Sequence, residues 1–225
     1  MVNGMKNLKA SDFFTAEEKE QIHRVVETAE ARTSGEIATM IVDQSDRYHE
    51  AEVLGGVLVA GLVALIISIA VHYAVILSHL PLDMTIWSYV PLVFLLYVPA
   101  RSLFLRFPHL KLPFIDRKRL MHAVRERAIR AFFEKRLYKT RYENGILIFI
   151  SILERKLWIL GDRGIDRKVS HESWNAMARE ISAGIGKGHA CEALCRVIEN
   201  CGAVLAGHFP KRADDTNELS DELIT

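Results

Sequence analysis

From Val53 to Leu80 the chain carries no Asp, Glu, Lys or Arg, whereas the sequence before it and the sequence after Phe107 mix apolar positions with charge. Roughly 20 apolar residues cross a bilayer as a helix, so this run predicts a transmembrane span. A second apolar stretch, Thr85 to Ala100, extends to Phe107 because an arginine at 101 can snorkel toward headgroups. Pro91 and Pro99 predict kinks in it. At the start of the second run, next to the connecting segment, Trp87 and Tyr89 stand where an aromatic belt forms. Residues 53–107 are therefore expected to be a transmembrane helical hairpin.

The flanks show other periods. Thr15 to Glu18 has capping-box spacing and opens a helix whose Ile22, Val25, Val26 and Ala29 share one face. It ends near Thr33-Ser34-Gly35, and Glu36 to Asp43 reads as a strand rich in β-branched residues. After the hairpin, Leu120, Val124, Ala128 and Ala131 or Phe132 recur at helical spacing, with bases over the remaining surface. Those bases form either a solvated face or a contact with anionic headgroups. Gly145 to Ile152 and Leu157 to Asp162 are short apolar strands around a charged turn. Helical spacing returns with Trp174, Met177 and Ile181, then with Ala193, Leu194, Val197, Ile198 and Val204. The expected organisation is one domain split into 10–48 and 116–210, interrupted by the hairpin, with a polar, disordered tail at 211–225.

A mean hydropathy of +0.11 beside 25 % charged residues is the average of these two environments. A net charge of +1 gives no basis for a nucleic-acid partner. The loop of the hairpin has no Lys or Arg, while Arg47, Arg101, Arg106, Lys111, Arg117, Lys118 and Arg119 flank the spans. By the positive-inside rule both termini and the soluble domain are expected in the cytoplasm, with the spans in a bacterial inner membrane. Residues 1–20 lack an apolar leader with a cleavage site. The expected partners are the lipid bilayer and, beside it, another membrane protein. Cys191, Cys195 and Cys201 are then expected as reduced thiols. No P-loop, Gly-x-Ser-x-Gly or Ser-x-x-Lys signature occurs.

Four segments in order carry a family resemblance. Thr33-Ser34-Gly35-Glu36-Ile37 closes a helix and opens a strand; Glu143-Asn144-Gly145-Ile146-Leu147 precedes the next. Gly161-Asp162-Arg163-Gly164-Ile165-Asp166 follows the third strand, and Gly188-His189-Ala190 leads into the last helix. In this order and spacing the chain resembles the TPM-domain proteins, named in part for a thylakoid-lumen acid phosphatase. The resemblance implies an α/β fold, a small sheet with helices on its faces, here interrupted by the two-helix hairpin. It also implies divalent-cation binding or phosphatase activity in some members. Lys168-Val169-Ser170-His171 stands where the family has an acid-containing segment.

If the first strand runs parallel to the second, as in the family, and the hairpin turn centres on Glu154-Arg155, residue 145 lies opposite about residue 164 and three glycine-containing turns meet at one sheet end. Glu36, Glu143, Asn144, Asp162 and Asp166 would offer hard oxygen ligands to Ca²⁺ or Mg²⁺ there. Gly35, Gly145, Gly161 and Gly164 would let a ligand approach the backbone, and Arg163 could contact a phosphate. Acids and glycines at strand ends are also ordinary turn chemistry, so both readings stand. Two functions follow: a membrane-tethered module binding a ligand, cation or partner, or a metal-assisted phosphatase for which no activated nucleophile is evident.

Overall fold

The computed structural model describes residues 9–78, 86–211 and 222–225. Its elements are α1 (Ala16–Glu30), β1 (Glu36–Val42), α2 (His49–Ser78), α3 (Ile86–Arg106), α4 (Arg117–Glu134), β2 (Gly145–Ser151), β3 (Lys156–Gly161), the single turn α5 (Arg163–Asp166), α6 (His171–Lys187) and α7 (Ala190–His208). They form two units, residues 47–117 and the remainder.

The larger unit is built on a three-stranded sheet in the order β1-β2-β3. β2 pairs parallel with β1, Glu36 opposite Gly145, and antiparallel with β3. Every residue of β2 is buried, so the central strand needs apolar side chains on both faces. Ile146, Ile148 and Ile150 join Ile37 and Ile41 in a core with Ile22 and Val26 of α1, Trp174 and Ile181 of α6, and Leu194, Val197 and Ile198 of α7. Leu147 and Phe149 face the other way, with Ala38 and Met40, onto Val124, Ala128, Ala131 and Phe132 of α4. The result is a mostly helical α/β fold with a small mixed sheet between helical layers. The expected capping box is present: Thr15 Oγ1 accepts from Glu18 N–H and Glu18 accepts from Thr15 N–H.

Two details depart from expectation. Ile146 lies opposite Gly161 and Ser151 opposite Lys156, so the turn is Ile152 to Arg155 and Gly145 faces Asp162 rather than residue 164. Arg155, the last residue of that four-residue turn, takes a left-handed φ of 51°, and the turn is centred one residue earlier than Glu154-Arg155. The tail, expected to be disordered, ends on the sheet: Ile224 bridges Met40 of β1. Apolar Leu223 and Ile224 supply the anchor that the surrounding polar composition hides. Residues 212–221 lie outside the described residues.

In the smaller unit α2 and α3 pack on each other as a pair. The Tyr89 hydroxyl donates to the Gly61 carbonyl at 3.2 Å, and Gly55 sits where any Cβ would meet the Phe104 ring at 2.5 Å. His49–Leu77 and Tyr89–Arg106 are long and apolar enough to cross a membrane. Pro91 and Pro99 lie inside α3. The loop around Asp83 lies outside the described residues. At the open end of the pair Lys111, one of the bases flanking the two apolar runs, is buried: its ammonium donates to Glu52 Oε1 and to the Arg47 carbonyl, the latter at 3.0 Å. His49 Nδ1 stands 3.3 Å from the other oxygen of Glu52.

Candidate functional site

The turns before β1 and β2 and after β3 meet at one end of the sheet, as the strand order requires, but they do different work. Thr33 Oγ1 donates to the Phe209 carbonyl at 2.6 Å, and Ser34 N–H donates to the same oxygen at 3.0 Å. The first turn is thus tied to the end of α7. Asn144 is buried; its amide donates to the Ser34 carbonyl, and its backbone N–H donates to Thr140 Oγ1 at 3.1 Å. Its side chain clamps two turns together. Glu36 is also buried, with its N–H on the Asn144 carbonyl at 3.3 Å.

The third turn is built around Asp162. Its N–H donates to the Gly145 carbonyl at 2.9 Å, which extends the β2–β3 ladder by one bond. Its Oδ1 accepts from Arg163 N–H at 2.7 Å and so caps α5. The chain then turns against Glu143, whose carbonyl accepts from Gly164 N–H at 3.1 Å. A Cβ at 164 would stand 2.6 Å from that carbonyl, so only glycine permits the approach. Glu143 itself has a φ of 51°. Asp162 is 8 % exposed, and its second oxygen, Oδ2, is buried with no hydrogen-bond partner among the described residues. A buried carboxylate oxygen without a donor costs roughly 1–3 kcal/mol or more, so this one is either a stored cost or the contact point of something that binds.

Asp162 lines a pocket of about 390 Å³. Glu143, Gly161, Arg163 and Asp166 line it from the turns, Leu160 from β3, and Ile129, Phe132, Phe133 and Tyr138 from α4 and the chain just after it. One wall is therefore acidic, with a single arginine, and the other is aromatic. Phe133 and Tyr138 are 57 % and 42 % exposed, with ring centroids 5.3 Å apart.

Of the residues singled out by sequence, Glu143, Gly161, Asp162, Arg163 and Asp166 line this pocket and Gly164 backs it. Gly35, Glu36, Asn144 and Gly145 do not line it. Gly35 faces Leu205 of α7, and Gly145 leaves room for the Leu137 carbonyl, 2.7 Å from where its Cβ would be. Both serve packing. The aromatic wall is not among the sequence-based expectations; its signal was the pair Phe132-Phe133, where one ring exceeds what the apolar stripe of α4 can bury.

The five expected ligands do not make one coordination sphere. Among the described residues no three His, Cys, Asp or Glu side chains are placed to hold a metal ion. What the pocket suits is a cation that needs only one or two carboxylates, as hydrated Mg²⁺ does, or one that carries an apolar body. The cysteines offer no nucleophile: all three are free and buried in α7. Burial pushes the thiols of Cys191 and Cys201 up to about 12 and raises that of Cys195.

No protein-family model and no curated protein matches the chain. Among solved structures it is similar to the NMR structure of BA42 protein from the psychrophilic bacterium Bizionia argentinensis, at 22 % identity and a TM-score of 0.57, over 96 % of this chain and 97 % of that one. The likeness is one of fold.

Proposed function

We propose that the chain is an integral membrane protein whose α2–α3 hairpin crosses the bilayer, and that its sheet unit is a TPM-like cytoplasmic module binding a cationic ligand in the Asp162 pocket. The length and apolarity of the two helices support the first part, together with side chains such as Leu77 and Phe94, which are 80 % and 73 % exposed. The Lys/Arg bias of the flanks supports the orientation.

One observation carries the binding reading. Asp162 spends one oxygen on capping α5 and keeps the other buried and unbonded in the wall of a pocket where three acids face one arginine. Such a wall favours positive charge, and the rings of Phe132, Phe133 and Tyr138 favour either a hydrated ion beside a π-face or an amine with an apolar body. The phosphatase alternative would use the same pocket, with Arg163 on the phosphate, and gains no separate support from the geometry.

Calorimetric titration of the full chain in detergent with Mg²⁺, Ca²⁺ and phenethylammonium decides the matter. Saturable binding of one of the three, lost in Asp162→Asn, is the expected result. Absence of binding by all three, or binding that Asp162→Asn leaves intact, would sink the reading. Turnover of a generic phosphomonoester that requires Mg²⁺ would move the assignment to the phosphatase.

A further inference from the structure

β1 is an edge strand, and an open edge invites another strand. Two of its outward amides are already engaged. Ile37 N–H donates to Glu30 Oε1 of α1 at 2.6 Å. Ile41 N–H donates to the Ile224 carbonyl at 2.9 Å, and Ile224 N–H donates back to the Thr39 carbonyl at 2.9 Å. The pair of bonds around Met40 is the repeat unit of a parallel ladder, so the C-terminal segment adds to the sheet as a short fourth strand.

The side chains of that segment obey the same rule. Successive residues of a strand point to opposite faces of its sheet. Leu223 packs with the core between the sheet and α1, α6 and α7, whereas Ile224 packs with the cluster on the α4 side, beside Met40. Two adjacent aliphatic residues thus straddle the edge and fill one site on each face. Backbone bonds give such a contact its geometry, and the paired sites give it sequence selectivity.

We propose that the β1 edge is a strand-addition site for an extended polypeptide segment carrying two adjacent aliphatic residues, and that the chain's own Leu223-Ile224 is its resident occupant. The ladder is two bonds long, so its hold depends on the segment belonging to the same chain. Tethering substitutes for a long interface by raising effective concentration, and a stronger segment of the same pattern from a partner displaces it. The site lies on a different strand edge from the Asp162 pocket and does not rest on it.

The test uses the full chain in nanodiscs and the five-residue peptide Asp-Glu-Leu-Ile-Thr. Ile224→Pro removes the N–H that donates to Thr39, and the double variant Leu223→Ser, Ile224→Ser removes both anchors while keeping the backbone. In either variant the Ile41 amide is expected to exchange with deuterium about tenfold or more faster than in the parent, with the amides of β2 unchanged. The peptide is expected to restore Ile41 protection in the double variant and to bind the parent about tenfold or more weakly, because the tethered copy competes. A peptide with its Leu and Ile separated should bind neither. Unchanged Ile41 exchange in both variants, or equal peptide binding by parent and variant, would overturn the proposal. Should Ile224→Pro also expose the amides of β2, the double variant decides between these outcomes.

Discussion

Each end of the β2–β3 ladder holds a buried carboxylate, and the two are wired differently. At the turn end Glu154 is 5 % exposed and both of its oxygens are bonded: Oε1 accepts from Ser45 N–H at 2.9 Å and Oε2 from the Ser151 hydroxyl. Ser45 Oγ closes the group by donating to Ser151 Oγ at 2.8 Å. At the other end Asp162 is nearly as buried, yet one oxygen is bonded and the other is not. The first acid is paired to the limit of what its surroundings offer, which is what architecture requires. The second leaves one oxygen without a donor among the described residues, beside a pocket, and that difference is what the binding proposal rests on.

The sharpest way to break that contrast is at the saturated end. Glu154→Ala leaves Ser45 N–H and the Ser151 hydroxyl buried without their acceptor, and the expected loss is about 3 kcal/mol of unfolding free energy. Denaturant unfolding of the full chain in a fixed detergent, followed by tryptophan fluorescence, checks it. A loss no larger than that of Asp162→Asn would mean that the two acids are equivalent.

A smaller effect is expected at Asn144, which shares an end with Asp162 but spends its amide on Ser34. Asn144→Ala should cost about 2 kcal/mol, because the Ser34 carbonyl loses its donor, and should leave cation affinity unchanged. Unfolding and titration of the same sample separate the two. An equal drop in affinity would return Asn144 to the ligand set.

The smallest stability change belongs to Asp162→Asn. Asparagine caps a helix about as well as aspartate, so the expected change is within about 0.5 kcal/mol. Thermal melts without added cation should overlay the parent. A large destabilisation would assign Asp162 to the scaffold.

These contrasts also mark how far the sequence could be read. Strand identities were legible because β-branched runs and Gly-containing turns act locally, whereas the meeting of three turns at one end rested besides on the parallel pairing of the first two strands. The parallel pairing of β1 and β2 came through the family resemblance, and the structure has it. The register slipped by two because it hangs on one left-handed residue, Arg155, which no local preference announces. Asn144 and Asp162 look alike as turn residues; which spends its polar atoms inside the fold depends on Ser34 and the α5 amide, and those are tertiary partners. The tail reads as polar by composition, and two aliphatic residues outweigh that average only where an edge strand waits for them.

The buried Lys111–Glu52 pair has a consequence for biogenesis. β1 leaves the ribosome about a hundred residues before its partner β2, which at 5–20 residues per second leaves an edge strand unpaired for roughly 5–20 seconds. The intervening chain is mostly the α2–α3 pair, and Lys111 fastens the stretch after α3 to the Arg47 carbonyl and to Glu52 at the start of α2. Once that clasp forms, the two ends of the insertion are held together and the closure still to be made is a short one. Because closure entropy rises only with the logarithm of loop length, the saving is modest in free energy. Its larger effect is on order: a hairpin closed first shortens the search for the β1–β2 pairing, so failure of the clasp would appear as slow, aggregation-prone maturation in addition to the cost of a buried charge left unpaired.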